Sequence, residues 1–289
     1  LLERPDGDRV LYFDPDMVRF SRVDDILDAR SASNLTLTPH QSKPETGYEA
    51  VIDNEIGSLK WGVFNLGFIG VRDTVGGHRF CQWWSDRVYH FCRDDVPNGL
   101  FTDQKWINLA PVFFEGVHIV RGARHNVATW NLTTRAFGGG VDRGFTVDGE
   151  PLGFYHFTGF DSGAHRVMAG KNASGNRAVQ ELIAWYESET TASSEDRRAS
   201  EWPWAFATYS DGTRIEPRHR RIYRDKPDLQ YAFPEPHRGT SNGLTFRSWC
   251  ETEGRIRFPQ ERPAGPGAGA TGANARGPMS PSVALRLLA

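Results

Sequence analysis

Val10-Leu11-Tyr12-Phe13-Asp14-Pro15-Asp16-Met17-Val18 is an apolar run that ends in two aspartates one residue apart. Residues 10–13, aromatic and branched, read as a buried strand that Asp14-Pro15-Asp16 terminates. Carboxylates are costly inside a core, so at the end of such a strand they face a crevice. In open α/β sheets the crevice outside the carboxyl ends of the strands is where ligands bind. Two hard oxygen ligands there suit Mg2+ or Mn2+ carrying a diphosphate. Taken alone, Asp-x-Asp is more often a turn with two solvated acids.

Beyond this stretch, strand and helix patterns alternate. Leu35-Thr36-Leu37-Thr38 reads as a strand ending at Pro39-His40, Trp61–Val71 as a buried strand pair or a bulged strand, and Val117–Val120 and Leu152–Phe157 as two more strands. Ser21 to Asp24 reads as a capping box opening a helix through Ala29, and Phe80, Trp84, Val88 and Phe91 recur at helical spacing. A helix is expected over Thr102–Leu109, stopped before Pro111, and another around Val179, Leu182, Ile183 and Tyr186. Residues 41–58 read as a polar surface loop carrying one helical turn. The alternation predicts the α/β class. Residues 1–186 are expected to form the core, 187–201 a linker or loop, 202–260 a C-terminal subregion, and 261–289 a disordered low-complexity tail.

Composition narrows the function classes. The 289 residues carry 34 basic and 36 acidic side chains, which argues against bulk electrostatic attraction to nucleic acid or an anionic membrane. Cys81, Cys92 and Cys250, without CxxC spacing, argue against a disulfide framework or zinc module and fit a reducing compartment. No apolar run approaches the ~20 residues that span a bilayer. The chain opens on Leu1 and its first strand already carries the aspartates, so a further ~70–100 residues of a nucleotide-binding half are expected upstream.

Four more segments set a polar side chain among apolar ones: Phe64-Asn65-Leu66-Gly67-Phe68, Asp103-Gln104-Lys105-Trp106, Asn126-Val127-Ala128-Thr129-Trp130-Asn131 and Tyr155-His156-Phe157-Thr158-Gly159. Buried, such groups need partners, structural or ligand. Singly, the structural reading is the commoner one: His156 as a hydrogen-bonded core histidine, Asp103 as an N-cap, Asn126 and Asn131 as turn residues. In their order, the segments resemble a family of bacterial glycosyltransferases of the GT-A fold. They are also similar, more distantly, to the glycogenin-like and lipopolysaccharide galactosyltransferase group, whose pattern runs DxD, FNxG, DQD, HFxG. The resemblance covers residues 9–160 and, loosely, 200–225.

That resemblance implies a GT-A-like (Rossmann-like) mixed sheet flanked by helices, lacking its N-terminal strands. It implies an enzyme that moves a sugar from a nucleotide-diphosphate-sugar donor to a saccharide or glycolipid acceptor, with retention. Asp14, Asp16 and His156 become ligands of Mn2+ or Mg2+, with Mn2+ favoured by the softer imidazole nitrogen. Asp103 and Gln104 become the catalytic residues, Asp103 on sugar hydroxyls and Gln104 near the anomeric carbon, where an amide oxygen is electron-rich without protonating. Asn65, Gly67 and Asn126 are placed with substrate binding, Asn65 on the sugar and Gly67 admitting it to the backbone.

Lys105 departs from the third acid of the pattern, and the lysine expected soon after HFxG is absent; Arg166 and Lys171 are the candidates to replace it. The run Arg214, Arg218, Arg220, Arg221 and Arg224 around His219 reads as a solvated hairpin strand after the Asp211-Gly212 turn, or as a grip for a diphosphate. Trp130 reads as core rather than as an acceptor platform. The resemblance further implies a cytoplasmic enzyme, peripheral to the inner membrane, with no nucleic-acid partner and no transmembrane segment. Two other classes fit the same residues: a non-catalytic carbohydrate-binding or scaffold relative, and a sugar-nucleotide nucleotidyltransferase.

Overall fold

The computed structural model describes residues 8–27, 33–194, 204, 206–239 and 244–254. The tail from 261 and the expected end of the first helix at Ala29 lie outside the described residues. The class is α/β, built on a mixed sheet in the order β1 (Arg9–Phe13), β4 (Phe64–Arg72), β3 (Leu35–Pro39), β7 (Val117–Ile119). β4 is antiparallel to both neighbours, while β3 and β7 run parallel. The run around Asn65 is one long central strand, buried along Phe64–Val71, and it is bulged as expected: Leu66–Phe68 are the extra residues opposite the Leu37–Thr38 step of β3. Cover on both faces is why its sequence is near-continuously apolar rather than alternating. β1 is an edge strand and only half-buried, with Tyr12 47% exposed, which corrects the expectation of a buried strand.

A second pairing joins β2 (Met17–Arg19) to β11 (Phe154–His156), antiparallel, with Met17 opposite His156. Phe13, Phe68 and Phe154, from β1, β4 and β11, meet with ring centroids 5.1, 5.3 and 5.2 Å apart. Phe68 and Phe154 are fully buried, each contributing roughly 2–3 kcal/mol of apolar burial. This triplet bolts together the three strands whose ends carry the candidate site.

Local expectations fail where packing overrides pattern. Ser21 caps nothing; its hydroxyl donates to the Leu152 carbonyl (2.7 Å), beside α1 (Asp24–Leu27). The supposed loop 41–58 holds α2 (Tyr48–Ala50) and a π-helical turn (Val51–Ile56), continued by α3 (Gly57–Trp61). Its periodicity misleads because Tyr48, Ile56 and Leu59 are exposed while Asn54 and Gly57 are buried. Thr102 belongs to β6 (Leu100–Thr102), hairpinned to β5 (Arg93–Asp95). The helical turns that follow, a 3-10 turn over Lys105–Leu109 and α5 (Ala110–Phe113), run through Pro111. Proline is harmless there because first-turn N–H groups have no helical partner. α4 (Val75–Phe91) forms as expected, its N-terminus capped by the Thr74 hydroxyl, which accepts from Gly77 N–H (3.0 Å).

α6 (Ala164–Asn172) and α7 (Arg177–Ser194) follow β11, and α7 runs into the segment read as a linker. Two compact units divide after Thr190. The second holds helices Pro217–Asp225, Pro227–Ala232 and Phe246–Glu251 around Ile222, Leu229, Phe246, Trp249 and Cys250. Arg214 pairs antiparallel with Thr208 across the Tyr209–Gly212 turn, as the hairpin reading expects, but Arg218, Arg220, Arg221 and Arg224 lie on the first of these helices rather than on a strand. Arg218 donates to the Cys250 carbonyl, Arg220 reaches the Phe206 carbonyl over Trp204, and Arg224 pairs with Asp225, so these guanidiniums are engaged within their own unit. Among the described residues no helix is long and apolar enough to cross a membrane.

Candidate functional site

Strand ends bring the chemistry together. Asp14 extends the β1 ladder by donating its N–H to the Gly67 carbonyl (2.8 Å), and the Phe157 N–H bonds the Asp16 carbonyl (2.9 Å). His156 is thereby held against the Asp14-Pro15-Asp16 turn. Its Nε2 stands 3.1 Å from Asp16 Oδ1 and 3.9 Å from Asp14 Oδ2. One ligand atom from each of the three residues lies within 4.8 Å of the others, and no other such acid, histidine or cysteine group occurs among the described residues. Donors ~2.1 Å from an octahedral ion stand ~3 Å apart when adjacent, as His156 Nε2 and Asp16 Oδ1 do, while the Asp14 oxygen stands wider; two carboxylates and an imidazole are a donor set that suits Mg2+ or Mn2+. Burial would push the Asp16 carboxyl up, but the hydrogen bond and charge of His156 bring it below the ordinary carboxylate value.

The imidazole is oriented from behind. His156 Nδ1 lies 3.1 Å from Asn65 Oδ1, an oxygen that can only accept, so Nδ1 carries a proton and Nε2 is left facing the aspartates. The Asn65 amine in turn faces His40 Nε2 (3.3 Å) and Gln104 Oε1 (3.5 Å). Asn65, expected on the sugar, is thus committed to the histidine. Gly67 has a matching role: a Cβ there would sit 2.6 Å from the His156 ring, so its missing side chain admits the imidazole. Gln104 is also engaged, its oxygen accepting from Leu66 N–H (3.0 Å) and its amine donating to the Trp61 carbonyl (3.2 Å). It braces the edge of the cavity rather than presenting a free amide oxygen.

Asn126 stands away from the cavity, 1% exposed at φ 48°, its amine on the Pro39 carbonyl (3.2 Å). Its segment matters through the backbone, since the Val127 carbonyl takes the His156 N–H (2.8 Å). Trp130 is half-buried and packs edge-on against His156 and His40. Arg166 and Lys171 do not replace the absent lysine: Arg166 pairs with Glu187, and Lys171 with Asp53 and Glu49.

A cavity of 310 Å3 opens from this corner, with Asp14, His156, Asn65, Gly67, Asp103, Gln104 and Trp130 in its wall. Asp103 lines it with a carboxylate that has no hydrogen-bond partner among the described residues; its backbone carbonyl takes the Trp84 indole N–H (3.2 Å). The helical segment adds Asp53, Asn54, Ser58 and Trp61, and the far side adds Thr129, His165 and Met168. The sequence reading missed His40, Asp53 and His165. His40 could have been found, because it ends β3 as His156 ends β11, whereas Asp53 was hidden in the misread loop.

His165 is buried and His40 half-buried, and both are held neutral, each pushed down to about 4, first by desolvation and then by the charge of His156. A histidine depressed in the folded state binds its proton preferentially when unfolded, so its stability contribution is complete above about 6.5 and is lost as pH falls toward 4. Urea denaturation is expected to show up to about 3 kcal/mol lost per histidine over that window, and His165→Gln is expected to flatten the slope. An equally steep loss in the variant would remove His165 from the account.

No family model and no solved structure matches the chain. It is similar to two uncharacterized proteins of Bacillus subtilis (strain 168). YfnD is 29% identical over 157 residues, covering 54% of this chain and 48% of that protein. YfnF is 26% identical over 162 residues, covering 55% and 52%. The chain therefore spans about half the length of the curated relatives it matches.

Proposed function

We propose that this chain carries the catalytic half-site of a metal-dependent glycosyltransferase of GT-A type, moving a sugar from a nucleotide-diphosphate-sugar to a saccharide or glycolipid acceptor. The observation that carries the reading is the convergence of Asp14, Asp16 and His156 at one corner of a cavity whose wall also holds Asp103, a carboxylate with no hydrogen-bond partner among the described residues. A divalent cation bound there supplies Lewis-acid stabilisation of charge developing on a leaving diphosphate. The chain's own residues bind and orient. Asp14, Asp16 and the Nε2 of His156 hold the cation, Asn65 fixes the ring, and Asp103 accepts hydrogen bonds from sugar hydroxyls. Trp130 and Trp61 wall the cavity against water. The order of motifs supports GT-A specifically, together with the mixed sheet and its strand-end acids.

The test is release of nucleoside diphosphate from a panel of UDP-, GDP- and dTDP-sugars by the full-length protein with Mn2+. Turnover of one donor is expected, abolished by EDTA and reduced at least ~100-fold by Asp103→Asn, in line with loss of a hydrogen-bonding group in the transition state. Metal-independent turnover, or turnover unaffected at Asp103, would overturn the assignment.

A further inference from the structure

Outside the ligand set, one hydroxyl is aimed at it. Tyr12 lies two residues before Asp14, so alternation along the edge strand sets both side chains on the same side. Its phenol O–H donates to Asp14 Oδ1 at 2.7 Å, while the other oxygen, Oδ2, is the one recorded against His156 Nε2 at 3.9 Å. The ring is 47% exposed and could direct its hydroxyl to water; it directs it to the carboxylate instead. We propose that Tyr12 is a positioning residue that holds Asp14 to ligation through Oδ2 alone and thereby tunes the centre toward small octahedral cations and away from Ca2+. The inference rests on the metal-site reading above.

The selectivity follows from coordination chemistry. Mg2+ and Mn2+ take six ligands in near-octahedral array, and one-oxygen carboxylates suit them. Ca2+ takes six to eight ligands and commonly draws both oxygens of a carboxylate. An oxygen occupied by a phenol is a poorer second donor, so the hydrogen bond penalises two-oxygen ligation.

The test is calorimetric titration of Mn2+ and of Ca2+ into the wild-type chain and into Tyr12→Phe, with thermal melts of both proteins without metal. The melts are expected to coincide, because the ring is retained and the lost hydroxyl is at the surface. Mn2+ affinity is expected to fall ~10-fold or more, the usual cost of an outer-shell partner, and Ca2+ affinity by much less, so the Mn2+/Ca2+ ratio collapses. Equal losses for both ions would mark Tyr12 as merely structural and overturn the proposal, as would an unchanged ratio. A wild-type chain that binds no Mn2+ overturns the metal centre itself, an outcome distinct from a failure at Tyr12 alone. Should Tyr12→Phe melt early, the same ratio is read at a temperature where both proteins are folded, and an unchanged ratio there overturns the proposal.

Discussion

Asp16→Asn is expected to weaken Mn2+ binding at least ~100-fold, about 3 kcal/mol at 1.4 kcal/mol per decade, while the variant still folds without metal, with a lower melting temperature from the lost contact to His156. The amide has the shape of the carboxylate and the side chain is 39% exposed, so nothing in the packing is disturbed. What changes is charge. One of the two anionic ligands becomes a neutral oxygen, and the contact with His156 Nε2 (3.1 Å) loses its ionic character. Calorimetry on the full-length protein, with circular dichroism as the check on folding, measures both halves of the expectation. Unchanged Mn2+ affinity in a folded variant would place any metal elsewhere.

Gly67→Ala is expected to destabilise the chain by about 1–3 kcal/mol and to cost ~10-fold or more in Mn2+ affinity. A Cβ at this position meets His156 Cε1 and Nδ1 at 2.6 Å and Asn65 Oδ1 at 2.8 Å. Little can yield. His156 is 3% exposed and pinned through its backbone to Val127, Asn65 is 5% exposed and bonded three ways, and β4 is the interior strand between β1 and β3. The ring must therefore swing from Asn65, which removes the partner that leaves Nε2 facing the aspartates. Urea midpoints and Mn2+ titration are expected to shift together. Native stability and native affinity in the alanine variant would show slack in the histidine's seat that the geometry does not contain.

The strand ends were the legible part of this chain. Asp14 and Asp16 stand where an apolar run stops, and carboxylates at such a place must find a crevice or a partner; that His156 joins them was implied by the order of motifs in the resemblance, not by the residues taken singly. Partner choice was not legible. Asn65 and Gln104 carry free hydrogen-bonding capacity on paper, and only packing shows that His156, His40 and the backbone of β4 consume it. Asn126 misleads for the same reason, its polar groups turned into the protein. The stretch 48–61 was unreadable because its apolar residues face out and its polar ones line the cavity, the inverse of the amphipathic rule. The arginines of the second unit, read as a solvated hairpin strand or else a diphosphate grip, fall mostly on a helix, where carbonyls and an aspartate engage three of them.

The antiparallel pairing of β2 with β11 carries a consequence for how the molecule comes into being. Asp16 and His156 are about 140 residues apart in sequence, yet the Phe157 N–H closes on the Asp16 carbonyl in the finished chain. Closing so large a loop is paid in chain entropy before any contact repays it, which places this pairing late in folding. During synthesis the two aspartates emerge about 140 residues ahead of the imidazole they will face. On the proposed metal site, this corner would be a seal on completed folding: a chain interrupted anywhere before residue 156 has the two acids but lacks the imidazole proposed as third ligand.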